Sequence, residues 1–368
     1  MTCHSDSREA LIEAFLKDVD WGDAARAPLG QDASTRRYER LTRSSGETAM
    51  LMDAPPIEAD PCPPGADDAT RNAMGWNAQT RLAASRVDAF VAMAAHLKAR
   101  GLSAPEIYAQ DCGDGLAIIE DFGEGLEFAR MIERGAEDET RLYTTAAEAL
   151  AHLHSEPVPT RVEGCGQSWP ILTFDRLALQ TNADLFAEWL PQFDDRAAMT
   201  DRQIAQWEAA RDALIEQAQA FPRTFTLRDY HAENLLWLPR RQGVARVGLL
   251  DFQDAVQGWD AWDMAMLTQD ARRLVSDEAS EVAITRYLDL TGKTRTDFDA
   301  RLAVIGTLNA LRITGVFARL IKRDDKPRYL DFMPRQQALL ARNLEHEAAA
   351  EMAGFVHEVA PFIFEASA

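Results

Sequence analysis

Three polar residues near the middle of the chain have the types and spacing needed to move a phosphoryl group. Asp229 and Asn234 stand five residues apart in Arg228-Asp229-Tyr230-His231-Ala232-Glu233-Asn234, and Asp251 follows seventeen residues after the asparagine. Between them, residues 235–238 read as a short apolar strand, 239–243 as turn material and 244–250 as a second strand. The midpoint of 234 and 251 is 242.5, inside that turn, so antiparallel pairing sets Asn234 opposite Asp251. Opposed residues in such a pair lie roughly 5 Å apart at Cα. An amide oxygen and a carboxylate at that separation suit one hard cation such as Mg²⁺, which keeps its other positions for water and phosphate oxygens. Asp229 can then set a second carboxylate beside the metal to accept the proton of an attacking hydroxyl. Asp and Asn also cap turns and helices, but capping does not explain why both ligands flank strands that would bring them together.

The run Asp229-x-x-x-x-Asn234, followed by Asp251-Phe252, has the spacing of a kinase catalytic loop and its metal-binding strand end. Within it, Asp229-Tyr230-His231-x-x-Asn234-Leu235-Leu236 resembles the D-x-H-x-x-N motif of the aminoglycoside phosphotransferase and choline kinase families. The resemblance implies a two-lobed protein-kinase-like fold, with ATP as phosphoryl donor, Asp229 as catalytic base, and Asn234 and Asp251 holding Mg²⁺. It leaves His231 either touching the acceptor or, as favoured here, bracing the loop by hydrogen bonds.

The elements around the motif agree with an α+β chain, strand-rich first and helix-rich after. A helix over 8–18 precedes two strands, 38–42 and 48–52, joined by the turn Ser44-Ser45-Gly46. Residues 53–72 are rich in proline and aspartate and read as a solvated loop. The apolar spacing over 80–100 predicts a helix ending at Gly101, and strands follow at 106–110 and 116–120. Helical periodicity then covers 126–134, 139–155, 175–190, 200–219, 260–275, 277–290, 297–322 and 335–358. This divides the chain into an N-lobe (1–119), a hinge (120–126) and a C-lobe (127–368). The hinge places Glu120 and Phe122 at the adenine, through backbone groups. The segment from Gly30 to Tyr38 sits where a phosphate-covering loop belongs, with Ser34, Thr35 and Arg36 as phosphate ligands, although Arg36 and Arg37 also fit a solvated strand edge. The strand 48–52 lacks the lysine of protein kinases, and helix 80–100 offers only Asp88 as an acid. Either another cation, Arg36, Arg37 or Arg43, neutralises the phosphates, the reading favoured here because the base and both metal ligands are intact, or the chain is an inactive relative.

Composition sets the outer limits. A net charge of −20 over 368 residues argues against nucleic acid or an anionic membrane as partner. The four cysteines are scattered without a C-x-x-C pair, which fits a reducing compartment and no zinc site. The N-terminus lacks the basic start and apolar stretch of a secretion signal, and no apolar run reaches the roughly 18 residues of a membrane span. A cytoplasmic protein is the expectation.

Further fragments narrow the resemblance. Asp32-Ala-Ser-Thr-Arg-Arg-Tyr38, Met52-Asp-Ala-Pro-Pro56, Gly248-Leu-Leu-Asp-Phe-Gln-Asp-Ala255 and Gln269-Asp-Ala-Arg-Arg273 stand in order with the central motif. Together they resemble the anomeric kinases of N-acetylmuramate and N-acetylglucosamine in cell-wall recycling, in which the strand lysine is likewise absent. That implies a small amino-sugar substrate phosphorylated at its anomeric hydroxyl. The lactyl carboxylate of N-acetylmuramate calls for a cation or for solvent. Asp270 and Arg272, after the metal strand, are the acceptor-side candidates, with an ion pair as their alternative role. Asp263 is expected to brace the catalytic loop, and Trp169, Phe174 and Arg176 either cover the sugar or pack in the core. The competing functions are a kinase of the same fold acting on an aminoglycoside or another small alcohol, and a non-catalytic nucleotide-binding regulator.

Overall fold

The computed structural model describes residues 2–30, 36–56, 66–74 and 86–365 of the chain, with side chains from residue 7. The phosphate-loop candidates Ser34 and Thr35 lie outside the described residues. Helix α1 (Thr2–Asp18) is followed by β1 (Ala25–Pro28), β2 (Arg37–Thr42) and β3 (Thr48–Asp53). Helices α2 (Asp68–Ala73) and α3 (Val87–Ala99) then lead to β4 (Ile107–Asp111) and β5 (Leu116–Glu120). The five strands form one antiparallel sheet in the order β1-β2-β3-β5-β4. Strand alternation sorts its two faces. Ala49 and Leu51 join Leu116, Ile118 and Leu41 beneath Ile12, Phe15 and Leu16 of α1. Met50, Met52, Ala117 and Ile119 point the other way, into the main core that holds Phe90, Val91 and Leu97 of α3.

The remainder is mostly helical. It runs through α4 (Phe128–Glu133), α5 (Glu139–His154), the hairpin β6 (Arg161–Gly164) and β7 (Gln167–Pro170), α6 (Arg176–Phe193) and α7 (Asp201–Ala220). Four short strands follow, β8 (Thr224–Thr226), β9 (Leu235–Trp237), β10 (Val247–Leu249) and β11 (Val256–Gly258). The chain then finishes with α8 (Asp260–Thr268), α9 (Asp277–Thr291), α10 (Arg295–Lys322), α11 (Met333–Leu344), α12 (Ala350–Val359) and α13 (Phe362–Glu365). Helix α10 is the central post. At 28 residues it spans about 42 Å, and a Cβ at its Gly315 would lie 2.2 Å from the Leu185 carbonyl carbon, so only glycine allows α6 to lie this close. By length and composition α10 could cross a membrane, but 67% of its apolar window is buried inside the protein.

Several boundaries differ from the sequence expectations. Strand β1 and the β6–β7 hairpin were not anticipated. The hairpin turns on Cys165 and Gly166, both left-handed, and lies so flat on α3 that a Cβ at Gly164 would meet Ala95 Cβ at 2.0 Å. The expected loop 53–72 contains α2, capped by Asp67 and anchored by buried Arg71, which pairs with Asp175 at 2.7 Å. The expected helix 260–275 stops at Thr268, where Gln269 leaves the helix to exchange two side-chain hydrogen bonds with Asn343 of α11. The expected helix 335–358 is broken at 345–349, between α11 and α12.

Candidate active site

Two antiparallel ribbons build the site. Strand β8 pairs with β11 (Thr226 opposite Val256), and β9 pairs with β10 (Leu235 opposite Leu249). The segment 227–234 therefore joins β8 to β9, and 250–255 joins β10 to β11. Each is pinned at both ends to a ribbon it shares with the other, so the two segments must run side by side. The register differs by one from the expected pairing. Leu250, not Asp251, faces Asn234 and donates its N–H to the Asn234 carbonyl at 2.9 Å. A 3₁₀ turn at Gly243–Arg246 takes up the first residues of the expected second strand. Asp251 thus falls beyond the ladder, in left-handed backbone with φ of 53°, where strand alternation no longer fixes its direction.

The segment 227–234 is held from below. Buried Asp263 of α8 accepts the N–H groups of Leu227 and Arg228 at 2.7 and 2.8 Å. Trp262 Nε1 donates to the Arg228 carbonyl at 3.2 Å. These contacts hold Arg228 at φ of 74°, a conformation that L-residues adopt at a cost of about 1–2 kcal/mol, and they set the direction of Asp229. The Tyr230 hydroxyl donates to the Ala146 carbonyl at 3.0 Å. His231 is 5% exposed, and its Nε2 lies 3.1 Å from an Arg272 nitrogen and 3.3 Å from Asn234 Nδ2. Burial, then Arg272, pushes the His231 imidazole down to about 4, so the ring is neutral and accepts through Nε2. It braces the loop. Asp229 is half-buried, and among the described residues no hydrogen bond takes its carboxylate, which leaves it open to a hydroxyl proton.

The metal candidates lie beside it. Asn234 donates Nδ2 to the Asp229 carbonyl at 2.9 Å, which orients Oδ1 away from the loop, without a protein hydrogen bond among the described residues. The Asp251 side chain is 38% exposed and is contacted by Arg36 and, at 2.9 Å, by Gln253 Nε2. Burial pushes its carboxyl up, but Arg36 and Gln253 override this and hold it below the ordinary range. Asp254, three residues on, carries a buried Oδ1 without a hydrogen-bond partner. Burial, opposed by Arg228 and aided by Asp229 and Asp251, pushes its carboxyl up to about 6. Among the described residues no cluster of three or more His, Cys, Asp or Glu side chains is set to hold a metal. The donors on offer are one amide oxygen and one carboxylate, with a second carboxylate three residues on, a set whose chemistry suits Mg²⁺ with water and phosphate oxygens completing its shell. Asp254 was missed in the sequence, although its position in Asp251-Phe252-Gln253-Asp254 was there to be read.

Of the three cations offered in place of the strand lysine, only Arg36 reaches this site, crossing from the start of β2 to Asp251 and, at 2.6 Å, to Gln253. Arg43 stacks over Trp21 at 4.0 Å and pairs with Glu47, and Arg37 is exposed. Glu120 has its N–H bound to the Glu106 carbonyl at 2.8 Å and its carboxylate paired with Arg241. Arg241 also lies over Phe122, 5.1 Å from the ring centre. On the opposite side, Asp270 is buried, with Oδ1 accepting the Arg272 N–H at 2.9 Å and Oδ2 unpartnered. Phe174 is buried edge-on against Trp262 at 4.8 Å, a packing role, and Arg176 pairs with Asp212.

Known proteins resemble this chain along nearly its whole length. The model of the phosphotransferase enzyme family matches residues 25–300. The N-acetylmuramate/N-acetylglucosamine kinase of Caulobacter vibrioides is 48% identical over 359 residues, covering 97% of this chain and 98% of that protein. The kinase of the same name from Pseudomonas aeruginosa is 28% identical, covering 91% and 88%. Among solved structures, a choline/ethanolamine kinase family protein from Mesorhizobium loti superposes with a TM-score of 0.56 at 15% identity, over 95% of this chain and 99% of that one. The last likeness bears out the α+β, protein-kinase-like fold. The chain belongs to the phosphotransferase enzyme family and is an enzyme that transfers a phosphoryl group to a hydroxyl.

Proposed function

We propose that the enzyme uses ATP and Mg²⁺ to phosphorylate the anomeric hydroxyl of N-acetylmuramate, N-acetylglucosamine or both, giving the sugar 1-phosphate for peptidoglycan recycling in the cytoplasm. The observation that carries this is the 48% identity to the Caulobacter kinase across 97% of the chain. The paired loops support the chemistry, and the net charge of −20 accords with a small-molecule acceptor rather than nucleic acid or membrane.

The proposed lobes are 1–119 and 127–368, with the nucleotide between them and its adenine at the hinge 120–126, near Glu120 and Phe122. Asp229 orients the acceptor hydroxyl and takes its proton as the new O–P bond forms and the bond to the leaving nucleotide breaks. Asn234 Oδ1 and Asp251 hold the Mg²⁺, with Asp254 behind them. When bound, the ion offsets the charge of the phosphate oxygens. Arg36 supplies the N-lobe cation, exchanging carboxylate for phosphate, with Ser34 and Thr35 alongside. Asp270 and Arg272 border the acceptor, and His231 keeps Asn234 and the loop in register.

The test is incubation with ATP and Mg²⁺ against a panel of both amino sugars, an aminoglycoside and choline, with products read by phosphorus NMR. A phosphorus resonance coupled to the anomeric proton of either amino sugar is expected. Phosphorylation elsewhere on the ring, or of the aminoglycoside or choline alone, refutes the assignment.

A further inference from the structure

Four arginines are buried among the described residues, Arg36, Arg71, Arg211 and Arg228. Three of them have carboxylate partners, Asp251, Asp175 and Asp184 respectively. Arg228 is the exception. It is 9% exposed, among the described residues no carboxylate lies within ion-pair distance and its Nε has no hydrogen-bond partner, Asp254 acts on it only through the field, and its guanidinium sits 5.4 Å from the centre of the Phe174 ring. A buried cation without a direct ion pair is costly, so its neighbours matter. Arg312, from the middle of α10, lies 5.7 Å from the ring centre of Trp262, the residue that packs edge-on against Phe174 and donates to the Arg228 carbonyl. Arg312 spends its Nε on Asn309 at 3.1 Å. Among the described residues nothing bonds its two terminal nitrogens. Burial pushes the guanidinium down to about 10, with Asp229 pulling the other way and Arg228 and Arg272 adding to the fall. The two arginines therefore rest on one aromatic floor, beside the side chain proposed to take the acceptor's proton.

The cations of the site divide between two sides. Arg36 serves Asp251 and Gln253 and enters from the sheet. Arg312 enters from the helices and shares its field with Asp229, Arg228 and Arg272. If the phosphates lie with Arg36 and the metal ligands, the helical side is left for the acceptor. We infer that Arg312, with Arg228 beneath it, forms an anion subsite that binds the carboxylate of an acidic acceptor sugar while its hydroxyl faces Asp229. This rests on the proposed function, in which N-acetylmuramate carries a lactyl carboxylate and N-acetylglucosamine does not. Arg312 is then a specificity residue. The guanidinium fork matches a carboxylate bidentately, which a lysine cannot do.

The test compares kcat/KM for the two sugars in wild-type enzyme, Arg312→Gln and Arg312→Lys. Losing one charge-assisted contact should lower kcat/KM for N-acetylmuramate by ~10- to 100-fold more than for N-acetylglucosamine in Arg312→Gln, mostly through KM. Arg312→Lys should fall between that variant and wild type. Turnover of N-acetylglucosamine reports whether each variant is folded, and Arg312→Lys keeps the comparison available should the glutamine variant be unstable. An equal loss on both sugars overturns the inference and assigns Arg312 to the transferred phosphoryl group or to packing, while the sugar kinase assignment stands. Wild-type enzyme that phosphorylates N-acetylglucosamine but not N-acetylmuramate also overturns it. Wild-type enzyme inactive on both sugars removes the proposed function, and the subsite falls with it.

Discussion

Replacing Asp263 with asparagine should slow the enzyme far more than it destabilises it. The wild-type carboxylate is fully buried and accepts two backbone N–H groups, from Leu227 at 2.7 Å and Arg228 at 2.8 Å. An asparagine keeps one acceptor and turns an NH₂ group toward the other N–H, so one charge-assisted hydrogen bond is lost, costing about 2 kcal/mol. At roughly 2 °C per kcal/mol for a chain of this size, Tm should fall by about 4 °C. The kinetic effect is larger because of what the bond restrains. Arg228 sits at φ of 74°, and a residue freed from that restraint gains about 1–2 kcal/mol by returning to negative φ. That rotation redirects the next residue, Asp229. A displacement on the order of 1 Å in a reacting group costs about 100-fold in rate. The assay is kcat and KM for ATP at saturating sugar, beside thermal unfolding. We expect kcat down about 100-fold with KM for ATP within about twofold of wild type, because the groups proposed to contact the nucleotide stand on other segments. A kcat within about threefold of wild type, together with the expected drop in Tm, would refute the claim that this carboxylate aims Asp229.

Other measurements bear on neighbouring parts of the site. Asp229→Asn should lower kcat by about 10²- to 10⁴-fold with little change in Tm, since its carboxylate takes no hydrogen bond among the described residues; an unchanged rate removes it as the proton acceptor. Asp251→Asn should raise the Mg²⁺ concentration for half-maximal activity, and identical metal titrations for variant and wild type would exclude it as a ligand. The His231 imidazole is held down to about 4 against an ordinary value near 6.5. Between those values the unfolded chain binds a proton that the folded one refuses, so this residue makes stability rise with pH across that window, by about 3 kcal/mol in all. Stability should therefore fall as pH drops from 6.5 toward 4, and His231→Asn should flatten that slope; equal slopes in urea titrations of the two proteins would contradict the assignment of a neutral, buried ring.

The parts of the molecule legible in its sequence are those encoded by local pattern. The apolar period of residues 297–322 located α10 to within two residues, because a helix that buries one face repeats its signal over many turns. The central hairpin was legible for a similar reason, an apolar run, a proline- and glycine-containing turn, and a second run. Its register slipped by one because the 3₁₀ turn at Gly243–Arg246 leaves no mark in residue type. Strands β8 and β11, three residues each, are too short for alternation to show, and yet they close the frame around both loops. Arg312 was invisible for the opposite reason. A lone arginine within a long apolar helix reads as a surface interruption, and only the packing of α10 against α8 turns it toward the catalytic loop. The break at 345–349 carries no glycine or proline to announce it.

The ribbons also bear on the absent strand lysine. In this frame the position of the two loops depends on β8–β11, β9–β10 and the Asp263 brace, all of which belong to the helical part of the chain. From the N-terminal part, Ser103 accepts the Leu249 N–H at 2.8 Å, and Arg36, just before β2, reaches across to Asp251 and Gln253. A cation delivered from the start of β2 rather than from the middle of β3 leaves Thr48–Asp53 free to be apolar on both faces, and Ala49 to Met52 are buried throughout. Asp53, at the end of that strand, is turned to Arg8 of α1 at 2.6 Å, so it ties the first helix to the sheet. With the phosphate cation proposed at Arg36, β3 takes another role. From Ala49 onward the strand is a buried rib between α1 and the main core, and the charge proposed to meet the nucleotide stands on the short segment that enters β2, in contact with Asp251.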